Sequence, residues 1–167
     1  MQTAFISIGS NVGDKKKNLE TAIECLDSDD RISVDSVSRF YRTQPQNFTD
    51  QDWFVNAALK IRTSLLPREL LGVLKQMESR IDKEGKPFRF GPRVIDLDII
   101  LYEDTVMKND VLELPHPRMH ERCFVLIPLC DIGAETIHPV LGLRSDELLK
   151  KIEKSEAQEV IPLEEEA

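Results

Sequence analysis

Apolar and polar positions along the chain mark out a short series of elements. Ala4–Ile8 is an apolar run stopped by Gly9-Ser10-Asn11, which predicts a strand ending in a turn. Over Lys15–Leu26, Leu19, Ala22, Ile23 and Leu26 recur at helical spacing. Ile32–Tyr41 is rich in β-branched and aromatic residues and predicts one strand. Thr43–Asp52, with Pro45, Asn47 and Asp50, predicts a loop. From Phe54 to Thr63 the pattern alternates, with Val55, Ala57, Leu59 and Ile61 on one face. Pro67 suits a first helical turn, and Leu70, Leu74, Met77 and Ile81 form the stripe that follows. Lys83–Pro92 predicts a loop. Val94–Leu101 predicts an apolar strand interrupted twice by Asp.

Strand, helix, strand, strand, helix, strand is the split βαβ order of a ferredoxin-like α+β domain with an antiparallel-rich sheet. The remaining sequence adds an expected hairpin (Val106–Leu112, turning at Asn109-Asp110), a helix near Glu121–Leu129 and a C-terminal helix from about Ser145. One domain is expected over residues 1–160. Residues 161–167, with Glu164, Glu165 and Glu166 in a row, are expected to be a mobile acidic tail. Such a fold hosts many functions and decides nothing about chemistry.

Composition narrows the classes. At 167 residues the chain can bury about 70 % of its unfolded surface, enough for a core without staples. The net charge of -8 repels a phosphate backbone and argues against general nucleic-acid binding. Cys25, Cys123 and Cys130 have neither the number nor the spacing of a disulfide framework or a thiolate zinc site. No apolar run reaches membrane-spanning length, and the N-terminus lacks a signal-peptide pattern. The expectation is a soluble, cytoplasmic protein that binds no nucleic acid and no membrane. Composition carries no information on oligomeric state.

The strongest local chemistry lies in Arg89–Ile100, RFGPRVIDLDII. On a strand, Ile95, Leu97, Ile99 and Leu101 share one face, and Asp96 and Asp98 share the other with Val94 and Ile100. Two carboxylates about 7 Å apart at Cα repel unless a cation sits between them. A hard cation such as Mg²⁺ suits two aspartates and a phosphate. The bland reading is a solvated edge strand, though Asp is a poor strand former. Residues 75 to 93 carry Lys75, Arg80, Lys83, Lys86, Arg89 and Arg93 against Glu78, Asp82 and Glu84, a positive segment in an acidic chain. A cationic loop running into paired carboxylates resembles a polyphosphate clamp.

Other segments are weaker alone. His116 and His120 have i, i+4 spacing, but Pro115 and Pro117 place His116 in a turn and no third zinc ligand is evident. His116 with Arg122 suits phosphate contacts better, and Phe124 reads as core. Ile6–Asp14 is a strand, tight turn and helix start without a phosphate-loop signature. Phe54 and Asn56 share one strand face; an aromatic plate beside an amide can stack a heterocycle and read its edge, although core Phe and satisfied Asn are commoner.

IGSNVGD, YRTQP (Tyr41–Pro45), QDWFVNA (Gln51–Ala57), RFGPRVIDLDII and PHPRMHERCFVLIPL together resemble one family over Ile6 to about Pro139: 6-hydroxymethyl-7,8-dihydropterin pyrophosphokinase, of folate biosynthesis. The resemblance implies a ferredoxin-like fold. It implies transfer of the pyrophosphoryl group of ATP to the pterin's hydroxymethyl group, with release of AMP. It implies that Asp96 and Asp98 hold two Mg²⁺ ions, that Phe54 and Phe124 sandwich the pterin, and that Thr43 and Asn56 read its edge. By the same likeness Arg93, His116 and Arg122 contact phosphates, Ile99 borders the adenine, and Arg89 and Phe90 belong to a loop closing over ATP. Arg89 and Arg93 are thereby expected to take part in catalysis. No side chain stands out as a general base, which suits a transfer governed by positioning and charge.

The sequence departs from the family in that loop. Asp82-Lys83-Glu84-Gly85-Lys86 stands where many members have Gly-Arg-x-Arg, and Phe90 where they have Trp. The competing expectations are three. A non-catalytic ligand sensor should have lost the aspartates. An RNA-binding domain needs a basic sheet with aromatics. A transferase for another heterocycle would differ only in pocket contacts.

Overall fold

Strand β1 (Gln2–Ser10) is buried from Ala4 onward because it lies inside the sheet, with β4 (Phe54–Thr63) on one side and β5 (Asp96–Tyr102) on the other. The computed structural model describes residues 1–83, 87–153 and 158–163. Between these strands run α1 (Lys15–Asp27), β2 (Ile32–Val37), β3 (Tyr41–Thr43) and α2 (Pro67–Ile81). The sheet order is β5-β1-β4, with β2 and β3 both pairing β4 antiparallel, as a ferredoxin-like domain requires. A small hairpin of β6 (Met107–Lys108) and β7 (Glu113–Leu114) follows, then α3 (Cys123–Gly133), α4 (Ser145–Glu153) and β8 (Val160–Pro162).

Helices cover both faces of the sheet. On one face Ala4, Ile6 and Ile8 of β1 meet Val55, Ala57, Leu59 and Ile61 of β4 and Leu97 and Ile99 of β5, under Leu19, Leu26, Leu70 and Leu74 of α1 and α2. Each fully buried Leu or Ile there contributes about 1.5–3 kcal/mol. Asp14 starts α1 by accepting from Lys17 N, and Glu69 turns back onto Leu66 N to start α2 behind Pro67. On the other face Phe5, Ile100 and Leu101 pack with Val125, Leu126 and Leu129 of α3 and Leu148 of α4. At the far end of that second face Ser7, Gly9, Asn56, Asp96 and Asp98 border a pocket that only the first turn of α3 reaches, through Phe124.

Several elements differ from expectation. The strand expected over Ile32–Tyr41 is two, because Ser38 Oγ accepts from Ala58 N and donates to Arg39 O, while Arg39 N turns to Asp131. Thr43 belongs to β3 rather than to the loop. Leu101 does not share a face with Leu97 and Ile99. The register steps from Ile6↔Ile99 to Phe5↔Leu101, so β5 bulges at Ile100 and Leu101 turns toward α3. The hairpin closes two residues later than expected, with Asn109 Oδ1 accepting from Val111 N and Leu112 N. The helix expected over Glu121–Leu129 begins as a 3₁₀ turn at Met119–Glu121 and continues as α3 to Gly133. The boundary expected after residue 160 falls inside β8, which pairs with β3; Glu164–Glu166 lie outside the described residues. Cys25, Cys123 and Cys130 are not disulfide-bonded, and no described helix is long and apolar enough to cross a membrane.

Candidate active site

Alternation on β5 sends Leu97 and Ile99 into the core under α1 and α2, and Asp96 and Asp98 to the opposite face. Phe54 and Asn56 of β4 and Thr43 of β3 reach that face from the other side of β1, and Arg122 and Phe124 descend from the start of α3. The space among them, open solvent at the mouth included, is about 660 Å³. Of the residues expected from the sequence, Thr43, Phe54, Asn56, Arg93, Asp96, Asp98, Arg122 and Phe124 line this one pocket. Arg89 does not: it is exposed, its guanidinium 4.7 Å from the centre of the Phe90 ring. Ile99 is buried in the core on the other side of the sheet. His116 lies beside Arg122 rather than in the pocket lining. Lys83 is exposed, and Lys86 lies outside the described residues.

The buried polar end of the pocket is tightly specified. Thr43 Oγ1 donates to Asn56 Oδ1 at 2.5 Å, and Asn56 Nδ2 donates to Ile8 O at 3.2 Å. Asn56 keeps one N–H and one lone pair for a ligand. Its amide lies across Gly9, its cross-strand partner; a Cβ on Gly9 would stand 2.3 Å from Asn56 Nδ2. Only glycine leaves room for that side chain.

Asn11 ties three segments together at the mouth. Its backbone N donates to Arg93 O at 3.0 Å, and its Oδ1 accepts from Arg93 N at 2.8 Å. Its Nδ2 donates to Gln51 Oε1 and Asp52 O. Gln51 Nε2 in turn donates to Phe90 O and Phe48 O, and the Phe48 and Phe88 rings meet edge-on at 5.0 Å. Sequence reasoning missed Gly9, Asn11, Gln44 and Gln51. The available signal was their placement within short motifs, at an apolar strand's end and in a loop where polar residues are ordinary.

Charge at the site is opposed and unequal. Arg93 Nη1 pairs with Asp96 Oδ2. Arg122 is pulled below the ordinary arginine value by burial and then by Arg118, with Asp98 opposing and Arg93 adding to the effect. His116 is lowered to about 4, mainly by burial and then by Arg122 and Arg118. Its Nδ1 accepts from Arg118 N at 3.1 Å, so the proton of the neutral ring sits on Nε2 and His116 is an uncharged donor near neutral pH. Crowded cations of this kind suit a multiply charged anion.

His116 also makes a stability prediction. A histidine with a depressed folded pKa contributes stability that is complete above its unfolded value of about 6.5 and is lost as pH falls through about 4. The contribution at neutral pH is about 3 kcal/mol. Denaturant titrations at pH 7 and pH 4 should therefore show a larger loss for the wild type than for His116→Asn, whose amide oxygen can still accept from Arg118 N. Equal losses would remove His116 from the account.

The oxygen donors of the carboxylate pair suit a hard cation in their chemistry. Among the described residues no three His, Cys, Asp or Glu gather as a metal site. Asp96 and Asp98 would supply only part of an oxygen shell, and water and a phosphate chain would supply the rest, a donor set that suits Mg²⁺.

The profile of the family described as 7,8-dihydro-6-hydroxymethylpterin-pyrophosphokinase matches residues 5–134. The chain is 39 % identical to the 2-amino-4-hydroxy-6-hydroxymethyldihydropteridine pyrophosphokinase of Aquifex aeolicus over 140 residues, 84 % of this chain and 86 % of that one. It is 42 % identical over 144 residues to the folic acid synthesis protein FOL1 of Dictyostelium discoideum, covering 86 % of this chain but only 22 % of that longer protein. The solved Plasmodium falciparum HPPK-DHPS superposes with a TM-score of 0.68 at 15 % identity, over 90 % of this chain and 43 % of that one, a likeness of fold. The chain belongs to the 7,8-dihydro-6-hydroxymethylpterin-pyrophosphokinase family, and its reaction is pyrophosphoryl transfer in folate biosynthesis.

Proposed function

We propose that this chain carries the pyrophosphoryl group of ATP to the hydroxymethyl group of 6-hydroxymethyl-7,8-dihydropterin in the pocket between β4, β5 and α3. The observation that carries the reading is the convergence of Phe54, Asn56, Asp96, Asp98, Arg122 and Phe124, from separate elements, on one cavity. Phe54 and Phe124 supply apolar faces for the pterin ring, and Asn56, held by Thr43, offers a donor and an acceptor to its edge. Arg93 and Arg122 bind the triphosphate, and His116 adds a neutral N–H. Arg93 exchanges its partner Asp96 for phosphate oxygens as ATP enters.

Asp96 and Asp98 would hold two Mg²⁺ ions. Bound there, the ions would screen the phosphates and acidify the attacking hydroxyl. The side chains of the pocket bring that oxygen toward the β-phosphorus. A bond from oxygen to the β-phosphorus forms, the bond from the β-phosphorus to the α–β bridging oxygen breaks, and AMP leaves with that electron pair. The hydroxyl proton passes to solvent. Arginine forks oppose the charge on the transferring group, which is the main demand of such a transfer. The tie from Asn11 through Gln51 to Phe90 brings both mouth loops toward the phosphates and keeps water out. Three cysteines without a disulfide fit a reducing cytoplasm.

Nucleotide analysis tests the reading. With Mg²⁺, ATP and the hydroxymethyldihydropterin, AMP should form in equal amount to pterin diphosphate and depend on both substrates. ADP in place of AMP would mean attack on the γ-phosphorus and a different triphosphate placement. Turnover that ignores the pterin would reject the acceptor.

A further inference from the structure

We propose that the C-terminal strand β8, acting through Gln158, positions the pterin-facing wall of the pocket. The proposal rests on the pterin assignment above. Residues 158–163 lie beyond the span matched by the family profile, yet they are tied to the pocket. Gln44, which lines it, is held by this segment at three polar groups. Its N donates to Glu159 O at 3.0 Å, its Oε1 accepts from Glu159 N at 3.2 Å, and its O accepts from Gln158 Nε2 at 2.7 Å.

The strand beside it depends on the same segment. β3 is three residues long, and a short edge strand bonded on one side frays readily. β8 makes it an interior strand: Thr43 pairs with Phe54 on one side and Val160 on the other, and Leu163 N donates to Phe40 O at 2.8 Å. Thr43 then orients Asn56. Gln44 also opens the loop that brings Gln46 and Asn47 to the pocket, Asn47 at φ 62°. The Gln158 amide stays in place although its oxygen is buried without a hydrogen-bond partner among the described residues. The bond to Gln44 therefore governs its position.

Gln158 touches no expected substrate position and is a positioning residue. The test compares full-length wild type, Gln158→Ala and Gln158→Glu, the last equal in size but lacking the amide donor. Both variants should raise the KM for the pterin about five- to tenfold, as expected for one lost hydrogen bond in a buried setting, and leave kcat and the KM for ATP within about twofold. Hydrogen exchange at the Thr43 and Gln44 amides should be faster in both, which reads the tether without any substrate. Unchanged exchange, or a Gln158→Glu enzyme that behaves as wild type, would overturn the tether. Equal rises in both KM values would mean general loosening and reject a positioning role. Faster exchange with a rise confined to the KM for ATP would overturn the assignment of this wall to the pterin, and the proposal with it.

Discussion

Asp96→Ala and Asp98→Ala chains should fold, bind the pterin and form AMP roughly 10³-fold more slowly, about 4 kcal/mol of lost transition-state stabilisation. Both carboxylates sit on the pocket face of β5, while the packing of that strand comes from Leu97 and Ile99 on the other face and from Ile100 and Leu101 beyond the pocket. The substitutions therefore spare the core. The two should differ in one respect. Asp96 is the partner of Arg93, so its removal leaves the guanidinium uncompensated beside Arg122. ATP without a divalent cation should then bind Asp96→Ala no more weakly than wild type. Single-turnover AMP formation, with unfolding curves as a control for folding, checks the rates. Near-normal turnover in either variant would falsify the assignment of the pair to phosphate chemistry.

Gly9→Ala should weaken pterin binding about 10- to 100-fold and leave ATP binding nearly unchanged. The added methyl would stand 2.3 Å from Asn56 Nδ2, and Asn56 cannot move aside without breaking its bonds to Ile8 O and Thr43 Oγ1. Losing two buried hydrogen bonds costs about 1–3 kcal/mol, which is also the expected loss of stability. A double-mutant cycle isolates the cause. In an Asn56→Ala background the nearest remaining neighbour of the methyl is Phe54 Cδ1 at 3.8 Å, an ordinary contact, so Gly9→Ala should add little. Strictly additive losses would show that Gly9 acts through the backbone of β1 and not through Asn56.

The regular part of the fold was legible because it rests on periodicity. β1, α1, β4 and α2 each carry an apolar pattern of five residues or more, and each stands where that pattern put it. The failures occur where a single hydrogen bond or one extra residue overrides the pattern. Ser38 divides a run of β-branched residues by bonding into β4, and the bulge at Ile100 moves Leu101 to the other face. β8 was missed because Val160-Ile161-Pro162 is short, ends in Pro and adjoins a run of Glu. At the site, a motif readily shows carboxylates and aromatics that reach the pocket directly. It does not show Asn11, whose importance lies in bonds to Arg93, Gln51 and Asp52, the nearest of them 40 residues away in sequence.

The bulge in β5 has an evolutionary corollary. One extra residue lets a seven-residue strand present carboxylates to the pocket and, further along the same face, Ile100 and Leu101 to α3. Parity, and not only residue identity, is under constraint between Asp96 and Tyr102. Without the bulge, simple alternation over these seven residues would force either the aspartates into the apolar core or Leu101 away from α3. Changes that flatten the bulge should thus be purged from this stretch even where conservative substitutions pass, whereas the exposed hairpin tip at residues 109–111 is free to vary in length.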